Sequence, residues 1–525
     1  MVIAKRRWCV VAGIVAAGVG LATTEIVSAI VDRRRPSIIA SVASRLVVAW
    51  AGPLKELAVR LFGVHDKSAL VAGIVVVSLA CGALVGLFGA ARRSLVVVVF
   101  TAFGLVGVWA AQRDPTASTP DAVVGAIAGA VAGAGSLLAL LRIVRGMPRR
   151  SMAATRDMAA PVPTVGGEFD RRRFLAATSG LTALALGATA TSQGLSRTTR
   201  SRRSNAAADN SLPIAKRTTP IPIDDATTTV DGLPPYVTPN ETFYRIDTAI
   251  FVPRVDLTSW TLTIGGRVDR PRTYTYRDLL AMDLVEEPVT IACVSNDVGG
   301  HLVGNARWLG VPLSDLLGPA GVRAGATQIV GRSVDDFTVG IPTAQALDGR
   351  VALVAVGMNG EPLPATHGYP ARLIVAGLYG YASATKWLTE LRQTTREEFD
   401  GFWIERGWTK DCPIQLASRI DVPESGAKVP AGRICIGGVA WAPSIGIASV
   451  DVQVDDEPWM PARLRAVASP NTWVQWIYDW ESTTKGDHVV AVRATDRRGQ
   501  LQTDKPAPPQ PSGATGYHYR GFAVV

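Results

Sequence analysis

Val289-Thr-Ile-Ala-Cys293-Val-Ser-Asn-Asp-Val-Gly-Gly300 is the stretch on which the reading of this chain turns. An apolar, β-branched run leads into a cysteine, and a polar segment with paired glycines follows. The pattern predicts a buried strand that ends in a loop. A thiol at such a strand end is held rigidly with its sulfur facing a cleft. A lone cysteine is also a common inert core residue, so the neighbouring sequence has to decide.

Working outward, residues 221 to 400 mix strand-like and helix-like pieces with many Gly and Pro turns. Trp260 to Ile264 alternates and runs into Gly265-Gly266, as a strand entering a turn does; Tyr276 to Met282 and Leu313 to Leu317 read as short helices. The expectation is an α+β domain. From about 411 to 525 the character changes to repeated alternation. Ser449 to Val454, Trp473 to Trp480 and His488 to Thr495 read as strands, with Asp496 to Gly499 as a turn. Strands at that spacing without helical signal predict a β-sandwich of immunoglobulin-like kind. Val474, Trp476, Tyr478 and Trp480 would share one face, as core or as a subunit interface.

Toward the N-terminus the composition is different. A helix crossing the roughly 30 Å hydrocarbon layer takes about 20 apolar residues. Trp8 to Ile30, Ala69 to Ala91, Leu95 to Ala111, Ala122 to Leu141 and Phe174 to Gly194 meet that test. Residues 37 to 62 are apolar but interrupted by Arg45, Pro53, Lys55, Glu56 and Arg60, and read as a helical hairpin or an interfacial helix. The predicted organisation is a four-helix membrane domain over 1 to 145, a linker with a fifth membrane helix over 146 to 220, a catalytic domain over 221 to 400 and a sandwich over 411 to 525. Gly125, Gly129 and Gly133 recur every fourth residue, which permits close helix approach in lipid.

Lys5 to Arg7, Arg92, Arg93 and the basic stretch from Arg142 to Arg173 all fall inside the cell if four crossings precede a fifth outward one; Arg33 to Arg35 break the pattern. Arg171-Arg172-Arg173-Phe174-Leu175 is similar to a twin-arginine export signal. That route carries folded cargo, as a large cofactor inserted inside the cell requires. The soluble part is therefore expected outside a multi-pass membrane anchor. The net charge of +10 comes largely from these membrane-flanking arginines and gives no nucleic-acid surface. Five cysteines are too few for a disulfide scaffold. Cys9 and Cys81 lie in predicted spans, and Cys412 and Cys435 are free to pair or to remain thiols.

From about Thr238 to Val525 the chain resembles the sulfite oxidase family of molybdopterin enzymes. The resemblance is carried by ordered blocks: Asn240 to Asp247, Thr290 to Cys293, Asn305 to Leu313, Met358 to Leu363, His367 to Arg372 and Gly380 to Trp387. It implies a molybdenum-molybdopterin cofactor with Cys293 as the protein ligand to the metal. Phe243, Tyr244, Arg245, Ser295, Asn305, Arg307, His367, Arg372, Ser383 and Lys386 match the blocks expected to hold the cofactor. Arg and Lys suit the phosphate of the pterin, and His suits its ring. Arg245 and Asp297 join Cys293 as candidate catalytic residues, with His301 a further candidate for proton transfer.

Family members that take sulfite carry an arginine pair shortly after the metal-binding cysteine, and this chain has Asp297-Val298 there. A carboxylate repels an anion. The expectation is therefore two-electron oxidation or oxygen-atom transfer on a small neutral or cationic substrate. Electrons would pass to a separate cytochrome or quinone-linked partner, and a homodimer is expected through the sandwich. Two other readings stay open: repair of methionine sulfoxide in exported proteins, and a non-catalytic membrane scaffold retaining the fold.

Overall fold

A computed structural model describes residues 2–31, 36–49, 66–146, 172–185, 187, 211–222, 230–482 and 484–525. The chain divides into two compact units, Met1–Asp209 with Thr248–Arg254, and Asn210–Asp247 with Val255–Val525.

In the first unit, helices span Val2–Val31, Ile38–Ala49, Asp66–Gly89, Arg93–Gln112 and Thr119–Gly146. Among the described residues, four helices are long and apolar enough to cross a membrane: Arg6–Val31, Ala69–Gly89, Arg93–Gln112 and Thr119–Val144. They coincide with the first four predicted spans. The predicted fifth is helical over 172–185, and its remainder, like Arg171 of the export-like motif, lies outside the described residues. The segment at 37 to 62 gives the 12-residue helix Ile38–Ala49, about 18 Å long at the usual rise and too short to span; residues 50–65 are outside the description. Glycines set the helix spacing. A Cβ on Gly13 would stand 2.0 Å from the Gly82 carbonyl oxygen, and one on Gly86 would stand 2.1 Å from that of Cys9. Gly129 meets Gly20 and Thr24 in the same way, so two of the three predicted contact glycines, Gly125 and Gly129, do face the first helix.

The second unit begins with strands β1 (Arg217–Thr218), β2 (Thr261–Gly266), β3 (Arg272–Thr275), β4 (Val285–Ala292), β5 (Val303–Pro312), β6 (Gln328–Ser333), β7 (Thr338–Pro342), β8 (Ala352–Met358), β9 (Glu361–Pro362), β10 (Arg372–Val375) and β11 (Leu388–Thr394). They form two sheets, one ordered β1-β4-β5-β8-β10 with β9 on β8, the other β3-β2-β11-β6-β7. Both short helices predicted from sequence are present, at Tyr276–Leu280 and Leu313–Ala320. Thr275 caps the first in a reciprocal capping box with Asp278, which satisfies its opening N–H groups. Strand β4 is buried on nearly every residue because β1 and β5 flank it and the core covers it, and its second half, Val289 to Ala292, is apolar but for Thr290.

Strands β12 (Ala417–Val422), β13 (Lys428–Val429), β14 (Gly432–Trp441), β15 (Ile447–Val454), β16 (Met460–Pro461), β17 (Arg463–Leu464), β18 (Val474–Ser482), β19 (Gly486–Asp496) and β20 (His518–Val524) form two more sheets, ordered β12-β14-β18-β17 and β13-β20-β19-β15-β16. Ile436 and Trp476 of the first share one apolar core with Val452 and Val492 of the second, giving a two-layered β domain. Trp476 and Trp480 are core residues of this layer, as their alternation predicts. Cys412 and Cys435 are not joined in a disulfide.

Candidate active site

Cys293 follows the last residue of β4, buried at 8% exposure. The loop after it is closed tightly on itself. Cys293 N donates to Leu302 O at 2.9 Å, Asn296 N donates to Cys293 O at 3.1 Å, and Asn296 Oδ1 accepts from Leu302 N at 2.7 Å. Gly299 turns the chain with φ +76°, a conformation open to glycine.

Around Cys293 the chain gathers residues distant in sequence. Burial, with the Cys293 thiol nearby, pushes the Tyr244 phenol well above its ordinary range, and Arg372 opposes this. Burial likewise raises Tyr379 to about 12, with Cys293 again contributing. Arg372 opens β10 at 4% exposure, with its guanidinium over the Trp308 ring at 4.9 Å. It donates to the His367 and Ala384 carbonyls at 3.1 and 3.4 Å, and burial lowers it to about 10, still a cation at neutral pH. Its Nε is buried without a hydrogen-bond partner among the described residues.

His367 is lowered to about 4, chiefly by burial and then by Arg372, so the ring is neutral. Its Nε2 lies 3.0 Å from the Asn240 carbonyl, which only accepts. Nε2 therefore carries the proton and Nδ1 presents a lone pair. Phe243 stacks on Tyr244 at 5.2 Å and meets His367 edge-on at 5.7 Å, fixing the wall between them. Lys386 Nζ reaches Asp247 Oδ2 at 2.7 Å, and Arg245 Nε reaches the same oxygen at 2.8 Å. Burial lowers Lys386 to about 8 while Asp247 opposes the shift.

Cys293, Phe243, Tyr244, His367, Arg372 and Lys386 thus share one neighbourhood, with Arg245 at its exposed edge. Other candidates sit differently. Asn305 is fully buried, with Oδ1 accepting from Thr290 Oγ1 and Nδ2 donating to Tyr236 O, so its amide is engaged within the protein. Ser383 is likewise buried and donates to the Leu378 and Tyr379 carbonyls. Arg307 faces Glu286 at 3.5 Å. Ser295 is exposed on the loop after Cys293. Asn305 and Ser383 are small buried polar side chains at a strand and a helix end, and each pairs with nearby backbone or amide groups.

Asp297 and Val298 line a narrow cleft, which Ala292, the residue before Cys293, also lines. Ala292, Asn296 and Tyr379 complete its near wall, and Ser418, Trp441 and Thr515 of the sandwich complete the far one. Among the described residues, no arginine or lysine lines this cleft. Asp247, Tyr379 and the sandwich residues were not anticipated as site residues. Asp247 stood within the quoted block from Asn240, and its place two residues after Arg245 was the available signal.

The chain matches the model of the oxidoreductase molybdopterin binding domain over residues 249–403. An uncharacterized oxidoreductase of Bacillus subtilis (strain 168), YuiH, is 34% identical over 153 residues, which cover 29% of this chain and 74% of that protein. Mitochondrial sulfite oxidase of Rattus norvegicus is 27% identical over 322 residues, covering 52% of this chain and 58% of that one. The chain belongs to the sulfite oxidase family of molybdopterin-dependent oxidoreductases. It spans little more than half the length of the rat sulfite oxidase it matches. The sulfane dehydrogenase SoxCD of Paracoccus pantotrophus superposes with a TM-score of 0.48 at 21% identity, covering 57% of this chain and 87% of that one.

The cofactor of this family is molybdenum-molybdopterin, and the donor set fits it. Lys386 and Arg245 share the single carboxylate of Asp247 and Arg372 lies in the same neighbourhood, leaving cationic excess and, among the described residues, an unsatisfied guanidinium N–H for a phosphate. The neutral His367 offers an acceptor to a pterin N–H, and Cys293 offers the sulfur ligand.

Proposed function

We propose that this protein is a membrane-anchored oxidoreductase whose catalytic unit lies outside the cytoplasm, holding molybdenum through Cys293 and acting on a small neutral or cationic substrate. The observation that carries the reading is Arg372: a guanidinium at 4% exposure, seated on Trp308, with only carbonyl partners and one orphaned N–H, beside Tyr244 and Cys293. Burying such a cation is costly without an anion to meet it. A phosphorylated pterin supplies that anion.

When bound, the molybdenum centre supplies two-electron redox chemistry with oxygen-atom transfer. The residues of this chain do the rest. Arg372, Lys386 and Arg245 grip the phosphate, Phe243 and Tyr244 wall the ring, and His367 Nδ1 accepts from it. Asp297 presents a carboxylate to the substrate cleft, where it disfavours anions such as sulfite and is placed to exchange a proton. Tyr379 keeps its phenol protonated and available as a donor. Arg307 and Ser295 border the site, and the immunoglobulin-like sandwich is assigned to dimerisation. The four apolar helices support anchoring, and the basic segments flanking them support an outward-facing catalytic unit with electrons delivered to a cytochrome or quinone-linked protein.

The test is metal and pterin analysis of the full-length protein purified in detergent, followed by a screen with artificial electron donors and acceptors. Stoichiometric molybdenum and turnover of an S-oxide or N-oxide, or oxidation of a neutral sulfur compound, are expected. A folded sample with neither molybdenum nor pterin would sink the proposal and leave the scaffold reading.

A further inference from the structure

The loop after Cys293 has a second support, in the sandwich. Arg419 of β12, at 3% exposure, donates from Nη1 to the Gly300 carbonyl at 2.8 Å. Its Nε lies 2.9 Å from Asp421 Oδ1 in a pair almost withdrawn from solvent. His518, which opens β20, accepts from Ile420 N at 2.9 Å through Nδ1, so its ring is fixed. The loop rests on that ring: a Cβ on Gly299 would stand 2.3 Å from it. Gly299 and Gly300 are therefore held from the sandwich, one by contact and one by a hydrogen bond.

A buried Arg–Asp pair is a poor way to fill a core, since apolar residues of similar volume are often as stabilising or more so. What the pair provides is direction. Asp421 holds the Arg419 guanidinium by charge, with no aligned hydrogen bond from Nε among the described residues, and Nη1 reaches a backbone carbonyl in the loop. Between the closing Asn296 and that carbonyl lie Asp297 and Val298, both in the cleft wall, and Ser418, adjacent to Arg419, lines the same cleft.

We propose that Arg419 and His518 are positioning residues of the active site: the sandwich clamps residues 296 to 300 and so fixes where Asp297 stands beside Cys293. The inference rests on the reading of this cleft as the substrate site. The sandwich is then a determinant of which charges approach the metal ligand, in addition to any role in assembly.

Two measurements on the full-length protein test it. Hydrogen exchange of the holoprotein should show amides 296 to 302 exchanging at least tenfold faster in Arg419→Ala and in Gly299→Ala, with β4 and β5 unchanged. Arg419→Lys should fall between Ala and wild type. Adding His518→Ala to Gly299→Ala should recover part of the protection, because the ring that the new methyl meets is gone. Unchanged loop exchange in Arg419→Ala and Gly299→Ala overturns the clamp.

In cofactor-free protein, mixed-disulfide formation at Cys293 with trimethylammonioethyl and sulfonatoethyl methanethiosulfonate, methanesulfinate leaving, followed by mass spectrometry of its unreduced peptide, reads the charge of the cleft. The cations Arg372, Lys386 and Arg245 act on wild type and variant alike, so the ratio of cationic to anionic rates should fall at least fivefold in Arg419→Ala relative to wild type. An unchanged ratio in a loosened loop overturns the positioning role. An Asp297→Asn variant whose ratio equals that of wild type overturns the cleft reading instead, and absence of molybdenum from wild type defeats the proposed function while the exchange data still decide the clamp.

Discussion

Asp247 and Lys386 stand 139 positions apart in the chain, yet their charged atoms meet at 2.7 Å with side chains 3% and 10% exposed. Asp247 also holds Arg245, so one carboxylate restrains two of the cations assigned to the pterin phosphate. Replacing Asp247 with Asn leaves Lys386 buried without its counter-charge, a change that costs about 3 kcal/mol or more. The loss should be large in cofactor-free protein and small in loaded protein, because the phosphate takes over the pairing. Equal destabilisation of both forms in denaturant titrations counts against a phosphate at this place.

Cys293→Ser should leave the fold intact, at a cost of about 1–3 kcal/mol for the buried hydroxyl if it finds no partner. Turnover and the sulfur-to-metal absorption of the oxidised protein should both vanish. Wild-type absorption in the serine variant would show that another atom ligates the metal.

Asp297→Arg combined with Val298→Arg should convert the cleft into an anion receptor. A hydrogen bond to a charged partner is worth roughly 1.5–3 kcal/mol, so each arginine should strengthen sulfite binding by about tenfold or more. Sulfite oxidation with ferricyanide as acceptor measures this. No change in KM for sulfite would place the substrate elsewhere.

Acid should destabilise the catalytic unit before it protonates the bulk of its carboxylates. His367 and His518 are both lowered to about 4, mainly by burial. Between about pH 6.5 and 4 the unfolded chain binds these protons and the folded one does not. The stability contributed by the neutral rings is therefore full above pH 6.5 and falls as pH drops toward 4. Thermal midpoints across that window should decline, and His518→Gln should flatten the slope. A midpoint independent of pH there would contradict the buried neutral rings.

In the membrane unit, Gly86→Val should separate the helices Val2–Val31 and Asp66–Gly89, since the added Cβ would meet the Cys9 carbonyl at 2.1 Å. Gly73→Val on the same helix meets nothing within 4 Å and serves as the control. The temperature at which the protein aggregates in detergent should drop for the first variant and not for the second.

Local sequence carried the strands, the loop at Cys293, the four apolar helices and the ordered blocks, because each depends on periodicity or turn chemistry within a short window. It did not carry where side chains go once elements cross. Asn305 and Ser383 stand in matching blocks, yet both are drawn inward by Thr290, Tyr236 and the 378–379 carbonyls. Asp247 was passed over because its partner Lys386 is distant in sequence. The far wall of the cleft comes from Ser418, Trp441 and Thr515, whose proximity to Cys293 is a product of tertiary contact alone.

The β4 strand that delivers Cys293 is stitched to the sandwich: Thr290 N donates to Asn471 O at 2.9 Å, and Trp473 N donates to Thr290 Oγ1 at 2.8 Å. Trp473 Nε1 and Tyr236 Oη extend the same seam. A line drawn near residue 400 is therefore a change of topology and no place to cut. Chimaeras that exchange the C-terminal half between relatives would tear these bonds as they graft, and should melt early unless the Thr290 and Trp473 partners travel with the graft.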